Sequence, residues 1–228
     1  MSLSEDHITA IKNFISRKGI KYIDVQMEII DHVASSIEEK MVADPNLQFE
    51  TALKQTHSSF GIFGFGGMED AIVNGLVKKY SLMFWKQLIS FFGPKYILLV
   101  LLTGFLTYKL EVLMGDYQNL LTIFLLVTIT LVAIIAVLGL KYKAYNKLLV
   151  YRTSVSYVTF ISLFLQIFNL LVNKTSEAVI FGVNRNFLFG AIVLVVFVLY
   201  VISAVKIALV GIKESKLLLD KYQLLSNQ

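Results

Sequence analysis

FLFGAIVLVVFVLYVISAVKIALVGI, residues 187–212, carries one charged side chain, Lys206, in 26 positions. A helix of that length rises about 39 Å, which exceeds the ~30 Å of hydrocarbon in a bilayer. Three more apolar runs precede it, at 96–113, 119–140 and 148–173. Each is near or above the ~20 residues a transmembrane helix needs. Together they predict an all-α protein: a cytosolic N-terminal helical domain (1–80), an amphipathic interfacial linker helix (81–95), a four-transmembrane-helix bundle (96–212) and a cytosolic C-terminal tail (213–228).

Composition argues the same way. The chain is 56% hydrophobic and 16% charged with a mean hydropathy of +0.69, which excludes an ordinary soluble domain. Residues 1–95 hold 10 Lys and Arg against 11 Asp and Glu, a net of −1; the remainder holds 11 against 5, a net of +6. The positive charge therefore belongs to the membrane half, where anionic lipids rather than nucleic acid are its natural partners. With no cysteine, thiolate catalysis, disulfides and Cys-based metal sites are excluded. The opening MSLSEDHITA lacks the basic and then apolar pattern of a signal peptide, so the run at 96 is expected to be the first translocated element.

The loops orient the bundle. Lys78, Lys79, Lys86 and Lys95 precede the first run, and Lys141, Lys143 and Lys147 lie between the second and third. Lys213, Lys216 and Lys221 follow the fourth. The first loop has Asp116 and no base; the third has Lys174, Glu177 and Arg185. Lys and Arg concentrate in cytoplasmic loops, so both termini and the second loop are expected in the cytoplasm. Asn173-Lys174-Thr175 matches a glycosylation acceptor, but the match is short and no modification is expected.

Residues 1–92 read as helices separated by turns. Ser2 and Glu5 have capping-box spacing, with Ile8, Ile11, Phe14 and Ile15 on one face and Gly19 as the stop. The second helix, about 22–42, shows an apolar stripe of Ile23, Met27, Ile30, Ala34, Ile37 and Met41. A third covers about 48–59. GIFGFGG, residues 61–67, has the wrong spacing for a dinucleotide loop and no preceding strand, so it reads as a turn with buried aromatics. A fourth helix, about 68–92, ends in LMFWKQLISFF, amphipathic and suited to the headgroup region.

Glu28-x-x-Asp31-His32, Ile37-Glu38-Glu39 and Phe49-Glu50-x-Ala52-Leu53, followed by a glycine turn, resemble the HAAS-type helical signalling domain over about residues 1–80. The proline usual in that turn is missing from Phe60-Gly61-Ile62-Phe63-Gly64. Such domains precede transmembrane helices in bacterial proteins and are often associated with PadR-family repressors. The resemblance implies a regulatory or interaction role in the bacterial inner membrane, and no catalytic residues.

Asp24, Glu28, Asp31, Ser35 and Glu38 form an acidic ridge, with His32 one turn beyond Glu28. Carboxylates and an imidazole so spaced can chelate a divalent ion, but no second histidine is near, and the expected use is partner binding or pairing with Lys141, Lys143 and Lys147. Arg152, Thr159, Ser162, Gln166 and Asn169 share one face of the third run, continued by Asn173. Polar groups in hydrocarbon turn toward protein or water, so this face serves helix packing or, alternatively, a transport path. Arg152 and Lys206 lie on the cytoplasmic side, where with the three loop lysines they are candidates for snorkelling or anionic-lipid contact.

Lys109 and Glu111 stand together near the outer end of the first run, and no acid lies deep in any run. That disfavours proton-coupled transport and intramembrane aspartyl proteolysis. The expected protein is therefore non-enzymatic, without cofactor or metal, with a cytosolic helical head that binds a partner or regulates. A small transporter or permease subunit is the alternative. A homo-oligomer fits either.

Overall fold

A computed structural model describes residues 3–61, 64–114, 117–160, 163, 179–180 and 183–226. The architecture is all-α: α1 (Glu5–Ser16), α2 (Ile23–Ala43), α3 (Phe49–Ser59), α4 (Gly66–Ser90), α5 (Ile97–Met114), α6 (Tyr117–Lys141), a 3₁₀ turn (Lys143–Lys147), α7 (Leu149–Thr159) and α8 (Arg185–Ser226). Among the described residues the exception is a short antiparallel ladder of β1 (Val179–Ile180) and β2 (Val183–Asn184), with Val179 opposite Asn184.

The chain divides into two compact units. The first gathers Met1–Lys79, Ala144–Arg152 and Glu214–Gln228; the second comprises Tyr80–Lys143 and Thr153–Lys213. In the first, α2 packs against both α1 and α3. Its fully buried residues are Val25, Ile29, Val33 and Ile37, joined in the core by Ile11, Ile15, Ile20, Phe49, Ala52, Leu53, Phe65 and Leu149. This corrects the expected stripe, of which only Ile37 is fully buried while Ile30, Ala34 and Met41 pack around the edge. A helix clasped from two sides buries the middle of a wide apolar face, and the spacing of one seam does not find that centre.

The α1 cap also shifts. Ser4 Oγ accepts the His7 N–H at 3.3 Å and His7 Nδ1 accepts the Ser4 N–H at 3.4 Å, so histidine does the work expected of Glu5. Ser2 lies outside the described residues. Gly19, at φ +87°, stops the helix as anticipated, because L side chains rarely adopt that conformation. Of the 61–67 segment, Gly61 and Gly64 take positive φ and Phe65 is buried, but Gly66 and Gly67 already belong to α4.

Among the described residues two helices are long and apolar enough to cross a membrane: Ile97–Met114, in the second unit, and, within α8, Phe187–Tyr222. α6 adds a shorter apolar stretch, Leu125–Lys141, and most of the third run beyond Thr159 falls outside the described residues. Leu98, Leu101 and Leu113 stand exposed. The 42 residues of α8 rise about 63 Å, twice a hydrocarbon core, and its last turns belong to the first unit. The residues set apart as a tail, 213–226, thus continue the helix. Within the second unit, Phe84 of α4 stacks on Tyr157 of α7 at 4.7 Å and meets Tyr200 of α8 edge-on at 5.1 Å. The Tyr200 hydroxyl donates to the Tyr157 carbonyl at 2.7 Å. One face of the linker residues is therefore packed against protein, and Leu82, Trp85 and Ile89 remain exposed.

Candidate functional site

The first unit is built around an unusual helix start. Leu148, Leu149, Val150 and Tyr151 are all buried, so the first N–H groups of α7 are cut off from water. Leu148, just before the helix, has no side-chain acceptor to cap them. Asp24, on α2, does so from 125 residues away: Oδ1 accepts the Leu149 N–H at 2.9 Å and Oδ2 accepts the Val150 N–H at 2.8 Å. Oδ1 also accepts its neighbour's Val25 N–H at 3.1 Å. Leaving such buried donors unmet would cost about 1–3 kcal/mol each, and a carboxylate also favours the positive end of the helix dipole.

The acidic ridge is thereby divided. Asp24 is committed to α7. Glu38 Oε1 accepts the Leu3 N–H at 2.9 Å and ties the start of the chain to α2. Glu28 and His32 form an exposed pair at 3.5 Å, and Asp31 is exposed beside them. Of the second-loop lysines expected to pair with the ridge, Lys147 belongs to the first unit, where it is exposed and makes no ion pair among the described residues, while Lys141 and Lys143 belong to the second unit. What the ridge holds near that loop is backbone, because two fixed N–H groups at a buried helix start are better targets than flexible, solvated ammonium groups.

The C-terminal turns of α8 join the same unit. Glu214 pairs with Lys79 of α4 at 2.7 Å, and Lys12 of α1 lies 5.0 Å from the Tyr222 ring centroid. Arg152 sits 6.0 Å from the Tyr22 ring centroid, at the limit of a cation–π contact. Lys206, in the second unit, donates to Gln87 Oε1 at 2.5 Å. Asp24, Glu28, Ile72, Leu76, Val150 and Leu218 border a groove of about 380 Å³ in the first unit.

A histidine, half-buried, lies beside Gly64 and Phe65. His57 meets Phe14 at 5.2 Å and Phe65 at 5.1 Å, both edge-on, and its Nε2 would lie 3.3 Å from a Cβ on Gly64. Desolvation, and then the Lys18 ammonium, hold its pKa below the ordinary value of 6.5. Glu69 lines the same cavity.

Of the polar face expected along the third run, Arg152 and Thr159 are exposed, and Thr159 Oγ1 donates to the Ser156 carbonyl at 2.6 Å. Ser162, Gln166 and Asn169, with Asn173, lie outside the described residues, and so does the 173–175 tripeptide. Among the described residues no group of three or more His, Cys, Asp or Glu is arranged to hold a metal ion. The sequence reading missed the role of Asp24 as a cap. The signal was present in the missing Ser, Thr, Asp or Asn immediately ahead of Leu149, which leaves the start of a buried helix in need of an outside acceptor.

No family model, curated protein or solved structure matches the chain.

Proposed function

We propose that this is a non-enzymatic, multi-pass protein of the bacterial inner membrane whose helical head senses or binds a cytosolic partner and passes that state to the membrane helices through α7. The observation that carries the reading is the make-up of the first unit, which collects the N-terminal helices, the second loop and the end of α8 around the Asp24 cap. A chain that leaves that unit at residue 80 and is back at 144, then leaves at 153 and is back at 214, makes two excursions. Each crosses a bilayer an even number of times when the three segments share a compartment. Four spans with cytoplasmic termini satisfy this, and the lysines bordering the excursions give the side. The HAAS-type resemblance of residues 1–80 supports the regulatory role.

Asp24 and Glu38 are engaged in holding the head together, so the surface left for a partner is Glu28, Asp31 and His32 on the outer side of α2. A basic segment fits it. Reporter fusions at Gln228 and within residues 174–186 test the topology: opposite locations are expected, and the same location for both would overturn the four-span arrangement. Copurification from native membranes tests the role. A soluble protein retained by the intact chain and lost in Glu28→Lys/Asp31→Lys supports it, whereas a tightly held ATPase would move the protein to the permease alternative.

A further inference from the structure

Within the second unit an apolar groove of about 370 Å³ runs between α5 and α8, lined by Val100, Gly104, Phe105 and Tyr108 on one side and Ala191 and Val195 on the other. Gly104 and Ala191 supply the space; a Cβ on Gly104 would lie 3.8 Å from Val195 Cγ2, an ordinary contact. Toward the end of α5, Glu111 is 1% exposed and pressed on Gly190, where an added Cβ would come within 2.9 Å of Oε1. Lys109, two residues earlier, faces elsewhere, because i and i+2 positions do not share a helix face. It is exposed, makes no ion pair among the described residues, and holds its Nζ 5.6 Å from the ring centroid of Phe105, one of the groove's lining residues.

We infer that this groove holds one acyl chain of an anionic phospholipid whose phosphate rests on Lys109. The inference depends on the membrane reading above. In hydrocarbon no water is at hand to fill an apolar groove, and the stretch from Val100 to Tyr108 offers about 12 Å of length to an alkyl chain. Transfer of that chain from the bilayer gains no hydrophobic free energy, because lipid tails are as apolar as the lining. Selection therefore comes from the headgroup. An exposed ammonium beside the groove favours an anionic lipid over a zwitterionic one by roughly fivefold, the effect of a single basic residue near a charged membrane surface.

The full chain in phosphatidylcholine nanodiscs, doped in separate samples with phosphatidylglycerol or phosphatidylcholine carrying a diazirine in the acyl chain, provides the test. Crosslinks are expected on peptides containing Gly104 and Ala191, several-fold stronger from phosphatidylglycerol. Gly104→Leu should reduce them to the level of the outward-facing leucines of α5, and Lys109→Gln should equalise the two lipids. Should Gly104→Leu fail to fold, Lys109→Gln, which changes only an exposed charge, decides alone. Even labelling along Leu98, Leu102 and Leu106 with no headgroup preference would overturn the lipid site while leaving the membrane reading intact. Failure of the wild-type chain to enter nanodiscs overturns the membrane reading itself.

Discussion

The two units differ most in what they leave exposed. In the first, Val25, Ile29, Val33 and Ile37 are wholly enclosed while Glu28, Asp31 and His32 face out. In the second, Leu98 is 76% and Leu113 82% exposed, and the buried set includes Thr107, Glu111, Thr128 and Ser203. Thr107 and Ser203 each return a hydrogen bond to a carbonyl one turn back, at 2.8 Å, so their hydroxyls stay satisfied without water. The first pattern is what water selects; the second is what a hydrocarbon solvent would select. Burial by itself is then a poor measure of what stabilises a chain until the solvent is named.

The comparison breaks most readily in the middle of α5. Leu106 is 53% exposed, and if that exposure is to hydrocarbon, Leu106→Asp should cost about 2.5–3.5 kcal/mol of insertion free energy. The variant is expected to leave the membrane fraction or be degraded. Normal insertion would mean that the apolar surface of the second unit faces protein or water.

The next effect belongs to the first unit. Ile29→Ala empties a fully buried site and should destabilise the head by about 2–5 kcal/mol, whereas Leu113→Ala, at an exposed site, should leave the fold nearly unchanged. Hydrogen exchange on the full chain reads both: amides of α1 to α3 should exchange faster in the first variant and at the wild-type rate in the second. Equal sensitivity at the two sites would erase the contrast.

A smaller difference separates two members of one acidic ridge. Asp24→Ala should cost about 1–3 kcal/mol and expose the Leu149 and Val150 amides to exchange, because it strips buried donors of their acceptor. Glu28→Ala removes only an exposed i, i+4 pair and should cost about 0.5 kcal/mol or less. Matching losses would mean that Asp24 acts through its charge and not as a cap.

The smallest expected effect is a pH dependence confined to the first unit. His57 binds its proton less readily in the fold than in the unfolded chain, so its contribution is fully present above pH 6.5 and declines as pH falls through the lowered folded value. Lys18 opposes the protonated ring, and Glu69 is the acid lining the same cavity. Acidification below pH 6.5 should accelerate exchange around the 61–67 turn, and His57→Phe should flatten that response. A response unchanged in the variant would assign it to another group.

Much of the backbone plan was legible in the chain itself. The bounds of α2, α3, α5 and α6 fall within about two residues of the sequence expectation, because apolar periodicity, a stop at Gly19, Pro45 and long uninterrupted apolar runs act within a turn or two. The charge asymmetry between residues 1–95 and the rest was equally plain. Packing decided what proximity in sequence could not. It set the buried centre of α2, since two helices clasp it. It turned Glu111 inward onto Gly190 while Lys109 stayed out, and it brought Asp24 to the start of α7. Local sequence fixes which dihedral angles are cheap, but the partner of a buried polar group is settled only when distant segments are folded against one another and water is gone.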